Sequence, residues 1–197
     1  MLCLLTVACS RTHRNDRVPT GAGPLIVVYK AVIDDGHGPV RGAKLAVWAE
    51  RPDRLHAELI APVGGVTFTI DAGGGKVCIV DVAEAIAYVG EDGPRAIEAL
   101  TGVGLSVADA VTALFDGVVP PGLTVTRAGS AMGSLPESLR IADGTRSLAL
   151  DRVRFERANT DPRKLGTGVP PANLVVLPID RLAPEASGEP HPVGADR

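Results

Sequence analysis

AIEALTGVGLSVADAVTALFDG, residues 96–117, is the stretch that decides the fold, because it predicts two short helices in a chain whose other segments predict β-strands. Apolar side chains recur in it at helical spacing, so that each helix has one apolar face. The positions that carry this pattern are Ile97 and Leu100 in the first helix, and Val107, Val111, Leu114 and Phe115 in the second. Helices this short are unstable alone. We therefore expect both to pack across a sheet.

Start and stop signals bound both predicted helices. Asp92 is expected to cap the first helix and Gly102 to end it. In the second helix, Ser106 and Asp109 have the spacing of a capping box, and Gly117 follows the last apolar residue.

The remaining periodic segments predict strands separated by turns rich in glycine and proline. A sheet of many strands curls or closes, because the twist of each strand accumulates. We therefore predict a mainly β fold of the α+β class: a single curled antiparallel sheet that forms a half-open barrel, with the short helices across its mouth. The predicted strands are residues 25–33, 43–50, 55–61, 66–72, 76–82, 123–128, 138–142, 145–156 and 174–179. Residues 83–89 suit either a strand or a helical turn, and we favour the strand.

Composition and charge exclude several classes of function. The chain has 197 residues and a formal net charge of −3, and it has no basic stripe interleaved with aromatic residues, so we predict no nucleic-acid partner. Its four histidines are scattered, without partners at ligand spacing, so we predict no metal site and no cofactor. His56 lies in an alternating segment and is expected on the solvent side. Since no acid, base and nucleophile converge, we predict no catalytic residues and no enzyme activity.

The N-terminus predicts a lipid anchor. Residues 5–9, LTVAC, resemble a bacterial lipobox, in which apolar residues and a small residue precede the cysteine that is lipidated. Cys9 is then the lipidated residue, and we expect its signal to begin upstream of Met1. The alternative is a disordered N-terminus in which Cys9 occurs by chance. The predicted organisation is a signal remnant over residues 1–9, a tether over 10–24, one folded domain over 25–182 and a disordered tail over 183–197.

Three segments, in the same order, resemble LolB, the outer-membrane lipoprotein receptor family, and the related carrier family LolA. Residues 96–117 resemble the segment that covers the open barrel of LolB. RPDRLHAELIAPVGGVTFTI (residues 51–70) resembles two strands joined by a Pro-apolar-Gly loop, and SLPESLRIADGTRSLALDRVRFE (134–156) resembles the late hairpin. The matching residues of the first segment are Ile97, Leu100, Thr101, Gly102, Val103, Leu105, Val107, Val111, Leu114, Phe115 and Gly117.

The resemblance implies an activity and its site. It implies a monomer, anchored in the outer membrane of a diderm bacterium and facing the periplasm, that takes lipoprotein acyl chains from a soluble periplasmic carrier and inserts the lipoprotein into the membrane. By the same resemblance, Pro62, Val63 and Gly64 form a membrane-contact loop. The acyl-cavity lining is implied to be Val47, Leu59, Phe68, Ile70, Ile97, Leu100, Val111, Leu114 and Phe115.

A second function from a different class stays open. The same apolar faces also suit a filled core, and the chain is then a structural or assembly lipoprotein that docks other proteins on its sheet. A large apolar cavity open to solvent favours acyl binding, whereas a filled core with an exposed edge favours docking. The family's first helix has no counterpart in residues 10–24.

Overall fold

The computed structural model describes residues 25–34, 36, 39–129, 135–157 and 166–182. Cys9, the tether and the tail lie outside these ranges. The helices are α1 (Pro94–Thr101) and α2 (Val107–Asp116), and among the described residues no helix has the length and hydropathy to cross a membrane. The strands are β1 (Leu25–Asp34), β2 (Pro39–Glu50), β3 (Arg54–Ile60), β4 (Val66–Gly73), β5 (Lys76–Asp81), β6 (Ile86–Glu91), β7 (Thr124–Ala128), β8 (Ser138–Ala142), β9 (Ser147–Arg157) and β10 (Val175–Pro178).

All ten strands form one sheet, in the order β10-β6-β5-β4-β3-β2-β1-β9-β8-β7. The neighbours are antiparallel except at one edge, where β10 runs parallel to β6 with Val175 opposite Ile86. The prediction of an entirely antiparallel sheet is therefore wrong at this edge. In the described part of the chain, β10 and β7 do not pair with each other, so the curled sheet stays open.

The sheet curls around one face, called here the concave face. The β3–β4 register shifts between Leu59 and Ile60, and β1 has register shifts against both of its neighbours. Such bulges bend a strand and increase its twist. Side chains that alternate along the strands, such as Tyr29, Val47 and Ile79, point to the concave face and form one core. The prediction of a mainly β, curled sheet with two helices is confirmed.

The two helices pack against the concave face, and their buried residues Ile97, Val107, Val111 and Leu114 belong to the same core as the strands. The expected capping box of α2 is present: the Ser106 hydroxyl accepts a hydrogen bond from the Asp109 N–H at 3.0 Å. Both helices end, as expected, at a glycine in the left-handed conformation, with φ of 70° at Gly102 and 67° at Gly117. A side chain at either position is strained, which explains glycine there.

The prediction that Asp92 caps α1 is wrong, because Asp92 caps α2. The residue before α1 is Gly93, whose position has no side-chain cap. The Asp92 carboxylate instead accepts hydrogen bonds from the N–H groups of Val107 at 2.6 Å and Ala108 at 3.0 Å, in the first turn of α2. The turn after α1 folds the start of α2 back towards the end of β6, and this brings the first N–H groups of α2 to the Asp92 carboxylate. A carboxylate there satisfies two helix N–H groups and complements the helix dipole.

We predict that Asp92→Ala lowers the free energy of unfolding by about 1–2 kcal/mol, the range for loss of an N-cap. The neighbouring Glu91 is exposed, so Glu91→Ala is the matched control and should change stability little. Urea unfolding followed by circular dichroism measures both. Equal effects of the two substitutions would contradict the role given to Asp92.

Candidate functional site

An apolar cavity lies between the concave face and the two helices. Its volume is about 80 Å³, and Thr101 is the polar side chain among those that line it. A dry cavity of about 150 Å³ holds one benzene molecule, so the cavity in this conformation has room for a few methylene groups. The lining residues are Ala31, Ile33, Leu45, Val47, Leu55, Ala57, Leu59, Phe68, Ile70, Ile97, Leu100, Thr101, Leu105, Ala110, Leu114, Leu139, Ile141, Leu148 and Leu150.

The cavity opens at one end of the sheet, called here the mouth end, which carries the β3–β4 and β5–β6 turns. Lining residues near this end, such as Leu59 and Phe68, are half-buried. Lining residues further from it on the same strands are buried, and Ala57 and Ile70 are 3 % and 8 % exposed. Burial therefore decreases along β3 and β4 towards the mouth end, so on these strands the apolar surface continues from the core out to solvent.

Seven of the nine residues predicted to line an acyl cavity do line this one: Val47, Leu59, Phe68, Ile70, Ile97, Leu100 and Leu114. Val111 and Phe115 do not. Val111 is fully buried in the packed core. Phe115 lies at the end of α2 beneath the Arg51 guanidinium, which is 5.0 Å from the centre of its ring. Leu114 in the last turn of α2 lines the cavity, whereas the adjacent Phe115 packs beside the β2–β3 turn.

The predicted membrane-contact loop forms the β3–β4 turn at the mouth end. The Gly64 N–H donates to the Ala61 carbonyl at 2.9 Å, which closes the turn. Val63 stands at its tip and is 97 % exposed, the most exposed large apolar side chain among the described residues. Pro62 and Gly64 are also exposed. The lining residues Leu59 and Phe68 lie on the strands that flank this turn. The turn therefore presents the Val63 side chain beside the entrance of the cavity.

A buried polar cluster on the opposite, convex face escaped the sequence analysis. His56 and Asp71 are direct neighbours on β3 and β4, with Nδ1 of His56 3.1 Å from Oδ2 of Asp71. The other ring nitrogen of His56 is 3.3 Å from a carboxylate oxygen of Glu58. His56 lies on the face away from the core, as expected of a solvent-side residue, and its neighbours leave its side chain 15 % exposed.

Asp71 fastens a distant segment onto this face. Residues 166–174, called here the outer strap, cross the convex side before β10. The Asp71 carboxylate accepts hydrogen bonds from the N–H groups of Gly166, Thr167 and Gly168 at 3.0, 2.6 and 2.9 Å, and from the Thr167 hydroxyl at 3.0 Å. Gly166 lies so close to Gly73 that a Cβ on Gly73 would collide with its carbonyl oxygen. Glycine is therefore required where the strap crosses β4.

The pKa values of the cluster follow from these contacts. Burial alone lowers the pKa of His56, but its hydrogen bonds to Asp71 and Glu58 outweigh burial and raise the pKa to about 9. Burial raises the pKa of Asp71, but hydrogen bonds from His56 and from the strap backbone hold it below its usual range. A protonated His56 therefore balances the Asp71 carboxylate at neutral pH. Among the described residues, the contacts of His56 and Asp71 join β3 and β4 to the outer strap, so the cluster holds the strap in place.

Alternation along β3 and β4 was the signal that could have paired His56 with Asp71, because both face away from the predicted core. Nothing local indicated the strap, since its contacts with Asp71 span more than 90 residues of sequence.

No protein-family model matches the chain, and no curated protein is significantly similar to it.

We predict that the stabilising effect of His56 declines from pH 6.5 to pH 9. A histidine whose pKa is raised to about 9 on folding stabilises the protein fully below 6.5, and this stabilisation is lost as the pH rises through 9. We therefore compare the free energy of unfolding of the protein with that of His56→Gln. The difference between them should be about 2 kcal/mol larger at pH 6.5 than at pH 9. Urea unfolding of both proteins across this range provides the measurement.

A control separates the cluster from general charge effects. Asp151 is exposed on β9, so the difference between the protein and Asp151→Asn should not change over the same pH range. A His56→Gln difference that is equally constant would show that the imidazolium does not hold the cluster together.

Proposed function

We propose that the protein binds acyl chains of lipoproteins in the apolar cavity and aids insertion of the lipoproteins into the outer membrane. The observation that carries the proposal is the cavity itself, an apolar surface that runs from the core to solvent at the mouth end. The resemblance of three segments to LolB supports the same function. The cargo then comes from a soluble periplasmic carrier, and the protein is anchored through a lipid on Cys9.

Hydrophobic transfer supplies the driving force. Each methylene that leaves water contributes about 0.8 kcal/mol, so even a partly inserted chain is bound usefully. At about 80 Å³ the cavity accepts the end of a chain without rearrangement. The rest of the chain covers half-buried residues such as Ile33 and Leu59 at the mouth end. No nucleotide or other energy source is required, because the chain moves on to whichever site buries it better.

The β3–β4 turn is the part of the protein that contacts the bilayer when the acyl chain is delivered. A fully exposed Val63 next to the cavity entrance can enter the headgroup region of a bilayer while the acyl chain leaves the cavity. Burial of one valine side chain contributes about 1.5–3 kcal/mol, which suits a transient contact and leaves stable attachment to a separate anchor.

A second candidate, a structural lipoprotein that docks other proteins on its sheet, is favoured by the small cavity volume and by the open sheet edges. In the described ranges, β7 pairs with β8 alone and β10 with β6 alone. An edge of this kind can accept a strand from a partner. This candidate requires no acyl binding, and the experiments below separate the two.

We predict that the full chain, carrying Cys9→Ser to prevent lipidation, binds the uncharged fluorophore N-phenyl-1-naphthylamine, and that a triacylated lipopeptide displaces it. Ala110 on α2 lines the cavity, so Ala110→Phe should fill the cavity and weaken probe binding by about tenfold or more. Ala108, on the same helix, does not line it, and Ala108→Phe is the matched control.

Fluorescence titration measures the affinities, and urea unfolding checks that both variants fold. If the folded protein does not bind the probe, or if the two phenylalanine variants bind equally, the acyl-receptor proposal fails and docking becomes the better account.

We predict that Val63→Glu slows transfer of the bound probe to vesicles of phosphatidylethanolamine and phosphatidylglycerol by about tenfold, because a carboxylate does not enter the apolar part of the bilayer. Binding of the probe should not change, because Val63 does not line the cavity. Val153→Glu, at another exposed valine, is the control and should transfer at the original rate. Stopped-flow fluorescence measures the rates, and unchanged transfer by Val63→Glu would exclude the turn from membrane contact.

A further inference from the structure

Within the described part of the chain, the cavity lining has a single polar side chain, and its hydroxyl already has hydrogen-bond partners. Thr101 is this side chain, and the Thr101 hydroxyl is occupied within its own helix end. It donates to the Ile97 carbonyl at 2.9 Å and accepts from the Val103 N–H at 3.3 Å. A charged headgroup drawn into the cavity would therefore lose its water without gaining a partner, and such a loss is costly.

Arg146 is a cation at the mouth end, and carboxylates already neutralise it. It lies in the β8–β9 turn, two residues before the lining residue Leu148. Its Nε donates to Asp143 at 2.9 Å, and a terminal nitrogen is 3.3 Å from a carboxylate oxygen of Glu98 on α1. An anionic headgroup that sought Arg146 would have to compete with both carboxylates. The ion pairs are partly exposed, so they contribute modestly to stability, but they give the single positive charge of Arg146 two carboxylate partners.

Across the mouth, β5 contributes a further carboxylate. Asp81 lies directly opposite the lining residue Phe68 on β4, so the two residues share the concave face. The Asp81 carboxylate accepts hydrogen bonds from the N–H groups of Ala83 and Glu84 at 3.0 and 3.1 Å, which hold it in the β5–β6 turn. Arg146, Glu98, Asp143 and Asp81 together carry three negative charges and one positive charge beside the lining residues Leu148 and Phe68.

From this chemistry we infer that the cavity selects acyl chains whose headgroup is uncharged, such as esters and amides, against fatty-acid anions of the same length. The inference rests on the proposed acyl binding and narrows its ligand class. An ester gains the full hydrophobic transfer of its chain, whereas a carboxylate loses hydration and is repelled by Glu98, Asp143 and Asp81.

The test compares decanoyl glycerol with decanoate, which have the same chain and differ in headgroup charge. Each ligand displaces N-phenyl-1-naphthylamine from the full chain carrying Cys9→Ser at about pH 7, where a fatty-acid carboxyl is ionised. Decanoyl glycerol should bind at least about tenfold more tightly. Glu98→Gln should improve decanoate binding about threefold and leave decanoyl glycerol unchanged, because it removes one carboxylate from Arg146. Glu91→Gln, at the end of β6 away from the mouth end, should change the affinity for neither ligand.

The outcomes separate this inference from the proposed function. Equal affinity for the two ligands, or tighter binding of decanoate, overturns the charge selectivity and leaves acyl binding intact. Absence of probe binding by the folded protein overturns acyl binding and the selectivity with it. A preference for the ester that Glu98→Gln leaves unchanged excludes the Glu98 carboxylate as a source of the selectivity.

Discussion

Everything in this structure depends on burying the apolar faces of two short helices in the concave side of one sheet. Neither helix is long enough to persist alone, and the curled sheet has an apolar face that needs cover. Asp92 connects the two requirements, because it lies directly after β6 and caps α2. The position of α2 is therefore fixed from the end of β6, the strand next to the edge strand β10. The cavity is the part of the concave face that the helices leave incompletely filled.

The two faces of the sheet are held by different physical interactions. The concave face is an aliphatic core with little hydrogen bonding between side chains. The convex face carries the His56–Asp71 cluster, in which one carboxylate receives hydrogen bonds from three consecutive backbone N–H groups of the outer strap. The strap leads into β10, and its Leu174 packs beside the buried Cys78. The convex side is thus covered by the strap, and the apolar surface of the core meets solvent at the mouth end.

Local pattern sufficed for the elements and failed for the long-range connections. Helical spacing and the Ser106–Asp109 capping box located α2, and alternation located most strands, because these signals lie within a few residues of one another. The partner of Asp92 was mistaken, since proximity in sequence favoured α1 while the turn at Gly102 brought α2 closer. The parallel pairing of β10 depends on the route of the strap across the sheet, which no spacing in the chain encodes.

The candidate site was partly accessible from sequence for the same reason. Apolar residues on α1 and on the strands were correctly placed on the concave face, but periodicity does not distinguish a packed position from one at a gap. Val111 and Leu114 belong to the same apolar face of α2, but Val111 is packed in the core and Leu114 borders the cavity. The neutralised Arg146 at the mouth end depends on contacts between α1 and the β8–β9 turn that only the folded chain brings together.

The central claim is that an acyl chain occupies the space between the sheet and the helices. Methyl-selective nuclear magnetic resonance with a spin-labelled acyl glycerol tests it most directly, because the label broadens signals from nearby methyl groups. The account predicts saturable broadening of the methyl signals of Leu59, Leu100 and Leu114, with those of Val153 and Leu174 on other surfaces unaffected. Broadening confined to the edge strands β7 and β10, or no saturable broadening at all, would contradict it.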